Sequence, residues 1–150
     1  MTISAMGDAQ QPNPHPSSGV AEKGSTLEKL QPFMDQRGFE VLVDLFAYGN
    51  LWDDIYNGRA EMSEKTFRAL MTPFFGFGAF SQIWAIFSSA LTPILRNEIA
   101  HWWGDKEYRR ANSMSWVILK AAGPVIAGQT KGFEAEMACR EVLREAGGRL

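Results

Sequence analysis

The sequence predicts an all-α protein: a small bundle of about five helices with a long apolar central helix, behind a disordered N-terminal tail. Three observations carry this expectation. Apolar residues recur at spacings of three and four, and no stretch alternates with the period of two that a half-buried strand requires. Capping residues and glycines bracket segments of helical length. Residues 69–95, between Arg68 and Arg96, carry no charge.

Taken in order, residues 1–24 hold Pro12, Pro14, Pro16, Ser17 and Ser18 and little that is apolar. That composition predicts a flexible tail and leaves 25–150 as one helical domain. Ser25 with Glu28 fits a capping box. A short helix follows, with Leu27, Leu30 and Phe33 on one face, Pro32 inside it and Gly38 as punctuation. Residues 39–56 form the first amphipathic helix, with Phe39, Leu42, Val43, Phe46 and Ile55 inward and Gly49-Asn50 as a candidate interruption. Asn57-Gly58 marks a turn, and Ser63 caps a helix running into the uncharged segment.

Within that segment, Thr72-Pro73 and Thr92-Pro93 each read as an N-cap followed by a first-turn proline. One helix therefore starts near Pro73 and another near Pro93; a single long helix kinked at both prolines is the alternative. Gly104 closes the second. Residues 105–122 form a further helix broken by Gly123-Pro124. Residues 132–146 form the last, with Phe133, Met137 and Leu143 inward, a Glu136–Arg140 pair outside and Gly147-Gly148 as its stop.

A composition of 45% hydrophobic and 21% charged residues belongs to a globular chain rather than a disordered one. The formal net charge of −2 argues against a dedicated nucleic-acid binder. It hides an asymmetry: residues 1–66 carry ten acidic and five basic side chains, residues 67–150 seven and ten. A basic half after an apolar run suits anionic lipid or an acidic partner, and equally suits neutralisation by the other half. A single cysteine, Cys139, excludes an intramolecular disulfide. No cleaved leader is expected at the N-terminus, because residues 1–25 lack a basic and then apolar succession.

The uncharged run poses the functional question. A bilayer core takes roughly 20 apolar helical residues to cross, and Trp102 and Trp103 beyond the run suit an interfacial belt. Gln82, Ser81, Ser88, Ser89, Gly76 and Gly78 dilute it, and the flanking basic residues give no topological bias. Its central helix, 73–91, is just long enough to span.

No local chemistry competes with it. Glu98 and His101 form the E-x-x-H pair of a di-metal helix, but His15 in the tail is the other histidine and has no matching glutamate, so no metal is expected. Cys139 lacks a nucleophile motif, and Asp53-Asp54 lacks the ligand spacing of a calcium loop. Gly76-Phe77-Gly78 lacks the Lys and Ser/Thr of a phosphate loop. Lys106, Arg109 and Arg110 beside Tyr108 and Trp103 form a small basic–aromatic cluster, blunted by Asp105 and Glu107.

The expectation is a non-enzymatic helical protein, without cofactor, that oligomerises and associates with a membrane through 69–95, its N-terminus cytoplasmic. It would act as an assembly subunit or a membrane-permeabilising component, holin-like by analogy alone. Phe74, Phe77, Trp84 and Phe87 would make apolar contacts, and Trp102, Trp103, Arg109 and Arg110 the interface. The alternative is a soluble cytoplasmic structural or interaction protein of virion or scaffold type, with the run as a buried helix. A third, minor possibility is an enzyme using Glu98 and His101.

Overall fold

The computed structural model describes residues 24–75 and 79–147, without the side chains of 71–82. All the regular secondary structure among the described residues is helical, with no strand. Helix α1 (24–30) runs into a 3-10 turn, Gln31–Phe33. Then come α2 (Gln36–Tyr56), α3 (Glu64–Phe75), α4 (Ala79–Gly104), α5 (Lys106–Ala111), α6 (Met114–Lys131) and α7 (Phe133–Gly147). Helix α6 is the centre, packed against α2, α4 and α7. Six consecutive residues, Met114–Leu119, are buried, as a helix enclosed on all sides requires.

A buried helix start must find partners for its orphan N–H groups. Here Asp53, on α2 and itself buried, accepts from Met114 N at 2.6 Å and Ser115 N at 3.1 Å. Ser113, the N-cap, accepts from Trp116 N at 3.2 Å. The carboxylate also lies at the positive end of the α6 dipole. At the other end of the same antiparallel pair, Asp35 N donates to Thr130 Oγ1 at 3.1 Å and Lys131 Nζ to the Pro32 carbonyl at 3.2 Å. Between these clips α2 and α6 nearly touch at Gly49, where an added Cβ would lie 2.6 Å from Ser115 Cα.

Several expected boundaries move. Ser25 lies inside α1 rather than capping it. Gly38 does not punctuate: Asp35 caps α2 by accepting from Gly38 N at 2.8 Å, so the helix starts three residues earlier than expected. Gly49-Asn50 does not interrupt α2, because Gly49 is the close approach to α6. The buried stripe of α2 is Val41, Leu42, Leu45, Phe46 and Asp53, and Val43 faces outward. Gly58 (φ +75°) makes the expected turn, and Ser63 accepts from Thr66 N at 3.2 Å.

Neither proline in the uncharged run starts a helix. Pro73 lies within α3 and Pro93 within α4. Pro93 is tolerated because it sits on the exposed side, where water can serve the carbonyl one turn earlier. Asn112-Ser113 splits the helix expected over 105–122, and Gly123-Pro124 does not break α6, which continues to Gly132 (φ +91°). In α7, Leu143 and Cys139 are buried, but Phe133 is 74% exposed and Met137 47% exposed. Its inward face instead adds the partly buried Ala135, Val142 and Ala146.

The stability of this arrangement concentrates at the α2–α6 contact. Asp53→Ala strands two N–H donors and is expected to lower the unfolding free energy by about 3 kcal/mol. Gly49→Ala is expected to lower it by about 1–3 kcal/mol by forcing the helices apart. Gly104→Ala, with nothing within 4 Å of the added carbon, should stay within about 0.5 kcal/mol of the parent. Urea denaturation of the three variants measures the difference.

Candidate functional site

The long helix α4 presents two faces. Trp84, Phe87, Leu91, Leu95 and Trp102, at spacings of three, four and seven, are all buried in the core that α6 fills. Each such burial contributes roughly 1.5–3 kcal/mol. No helix among the described residues is long and apolar enough to cross a membrane. The physical reason in α4 is composition: beyond Leu95 it carries Arg96, Asn97, Glu98 and His101, and before that Ser88, Ser89 and Thr92. Trp84, Phe87 and Trp102 thus contact the chain's own interior, whereas the side chain of Phe74 and all of Phe77 lie outside the described residues. The predicted tail and the Gly76-Phe77-Gly78 stretch lie outside them too, Gly24 apart.

Where α4 ends, the chain turns through Asp105 into α5, and an aromatic corner forms around Arg109. Its guanidinium donates to Tyr56 Oη at 3.0 Å, to the Trp102 carbonyl at 3.1 Å and to the Trp103 carbonyl. It therefore caps the negative end of α4. It also lies 5.3 Å from the Tyr56 ring centroid and 5.9 Å from that of Trp102. Trp102 Nε1 donates to the Asn112 carbonyl at 2.8 Å, which pins the break between α5 and α6. Trp103, 45% exposed, meets Trp52 edge-on at 5.4 Å and Trp102 at 5.3 Å. Arg110 points away and pairs with Glu107 at 3.6 Å.

A polar shelf adjoins this corner. The His101 ring stacks on Tyr108 at 4.0 Å, with Nε2 3.7 Å from Asp105 Oδ2. Asp105 caps α5 by accepting from Tyr108 N at 3.0 Å. That bond, helped by His101, holds its carboxyl below the usual aspartate value. Glu98 acts on the same shelf. Partial burial, and secondarily the Glu98 charge, raises the Tyr108 phenol. Partial burial lowers the Lys120 ammonium, against the opposing pull of Glu98. Lys120 Nζ donates to Asn112 Oδ1 at 3.4 Å. The structure thus gathers His101, Glu98, Tyr108 and Lys120, of which sequence spacing joined only the first two.

The other candidates are structural. Asp53 is the α6 cap, and Asp54 holds Arg59 at 3.0 Å, so both carboxylates have structural partners. Cys139 is fully buried, and burial foremost pushes its thiol up to about 12. It packs as an apolar residue, and a thiol so placed is protonated at neutral pH. No group of three or more His, Cys, Asp or Glu suited to a metal ion occurs among the described residues. Tyr56 and Trp52 carry no sequence signal for this corner, since nothing local marks a contact spanning some fifty residues, and Asn112 joins it through its backbone carbonyl, which no side-chain pattern reveals. Asp105 carried a readable signal, an acid directly before a helical segment.

Compared with protein-family models, curated proteins and solved structures, the chain matches none.

The corner makes Arg109 and Arg110 unequal. Arg109→Ala is expected to lower the unfolding free energy by about 1–3 kcal/mol and to shift tryptophan emission to the red. Arg110→Ala should change neither measurably; denaturation followed by fluorescence compares the two.

Proposed function

We propose that this chain is a non-enzymatic helical interaction protein, acting as a structural or scaffold-type subunit through its exposed faces. One observation carries the proposal: Trp84, Phe87, Leu91 and Leu95, from the run that would face lipid, are buried against the chain's own helices. A run used as core is not free to be a membrane surface. The large apolar side chains left outside, among them Val43, Ile86, Phe133 and Met137, are spread over α2, α4 and α7. That distribution suits contacts with protein better than one insertion face. The test is fractionation of a detergent-free lysate at high speed, followed by a carbonate wash of the pellet. The expected result is a monodisperse protein in the supernatant. Retention in the washed pellet would restore membrane association through 69–95 and overturn the proposal.

The polar shelf favours a second function. A half-exposed imidazole stacked on a tyrosine and 3.7 Å from the Asp105 carboxylate is equipment for general acid–base chemistry. His101 would move the proton, with Asp105 supplying charge beside it. Purified protein assayed on chromogenic carboxyl esters and phosphodiesters should then show turnover that His101→Ala abolishes and Trp103→Ala retains. No turnover on either class, or turnover indifferent to His101, would end this alternative.

A further inference from the structure

Among the described residues, Lys29, Lys65, Lys106 and Lys131 are exposed, whereas Lys120 is half-buried on α6. Its Nζ lies 5.8 Å from the Trp116 ring centroid and donates to Asn112 Oδ1 at 3.4 Å. The Asn112 amide is itself fixed, because its Nδ2 donates to the Tyr108 carbonyl at 3.2 Å, which turns Oδ1 toward Lys120. Trp102 Nε1 holds the Asn112 carbonyl at 2.8 Å. Groups from α4, α5 and α6 thus fix the place of one amine.

No carboxylate among the described residues lies within ion-pair distance of that Nζ. The amine is packed away from part of its water and anchored by a neutral amide, with no counter-ion in contact. Partial burial shifts its ammonium down, against the Glu98 charge on α4, and so enlarges the share of free amine at neutral pH. An oriented, unprotonated lysine is a nucleophile toward carbonyl carbon. The product suits the same surroundings. An iminium keeps its positive charge near Trp116 and in the field of Glu98, and its N–H still donates to Asn112. The Glu98 charge at the same time disfavours the approach of anionic carbonyl compounds.

We propose that Lys120, held by Asn112 over Trp116, is a covalent binding site for uncharged aldehydes, which it captures as an imine. The Nζ lone pair forms a bond to the carbonyl carbon, and an amine proton passes through solvent to the carbonyl oxygen, giving a carbinolamine. The hydroxyl leaves as water with a proton taken from solvent, and the carbon–nitrogen double bond forms as the iminium. Return of that proton leaves one imine and one water, with nothing oxidised or reduced. Capture needs no turnover, so this site goes beyond both functions proposed above and stands whichever of them holds.

Reductive trapping on the full chain tests it. Limiting butyraldehyde is added with cyanoborohydride at neutral pH, and peptide mapping by mass spectrometry locates the alkylated lysines. Lys120 is expected to react about tenfold faster than Lys29, Lys65, Lys106 or Lys131, which serve as standards within the same molecule. Glyoxylate, an anionic aldehyde, should not show this preference. Asn112→Asp sets a carboxylate against the ammonium and should slow Lys120 about tenfold while leaving the exposed lysines unchanged. Glu98→Gln should bring glyoxylate to Lys120. Equal labelling of all the lysines by butyraldehyde, or a Lys120 slower than the exposed ones, overturns the proposal. So does a folded Asn112→Asp chain whose Lys120 reacts as in the parent, or a preference that glyoxylate shares. Circular dichroism checks the fold of each variant, and the parent's labelling pattern decides the matter even where a variant fails to fold.

Discussion

The burial of the α6 N-terminus is the constraint from which the rest of the structure follows. A helix enclosed by three others can hide its side chains easily, but its first amide groups have nowhere to go. One carboxylate, Asp53, accepts from two of them, and Ser113 accepts from a third. For Asp53 to reach, α2 must lie close against α6, which is why Gly49 sits where a Cβ would strike the Ser115 backbone. Once that pair is set, Leu42, Leu45 and Ile118 close the space between, and α4 and α7 dock on what is left of α6.

Helix content was plain in the sequence because its carriers are local. Spacing of three and four, the Gly58 turn, Ser63 as a cap and the α7 limits all depend on neighbours within one or two turns. Most of the misplaced helix boundaries share one cause: glycine and proline read as punctuation in the sequence, whereas tertiary contacts give them other work. Gly38 and Gly49 lie inside α2, where Ile126 and Ser115 press on them. Pro93 and Pro124 lie inside helices that packing keeps whole. Hydrophobicity alone points Phe133 inward, whereas the face that α7 buries is that of Cys139 and Leu143. Periodicity tells that a helix has a face, and it was the smaller side chains that fitted.

The candidate site was legible in half. Trp103 and Arg109 belong to the basic–aromatic cluster readable in the sequence, and they do meet, whereas Arg110 of the same cluster pairs with Glu107. Tyr56, which joins Arg109, Trp102 and Trp103 at the corner, comes from the far end of α2, and Lys120 reaches the shelf from α6. Such convergence is written in the fold and not in any window of the chain. Arg109 and Arg110 are adjacent in sequence yet point to different surroundings, because successive residues on a helix diverge by about 100°.

The order of helices along the chain has a consequence for its synthesis. The apolar stripe of α4 ends at Trp102, but the surface that covers it, Met114–Leu119 and beyond, is made later. Until α6 emerges and its first turn finds Asp53, a ribosome-bound chain carries Trp84, Phe87, Leu91 and Leu95 without their cover. In that interval the nascent protein displays the greasy segment that its sequence advertises, and it is then that a chaperone or a membrane surface could compete for it.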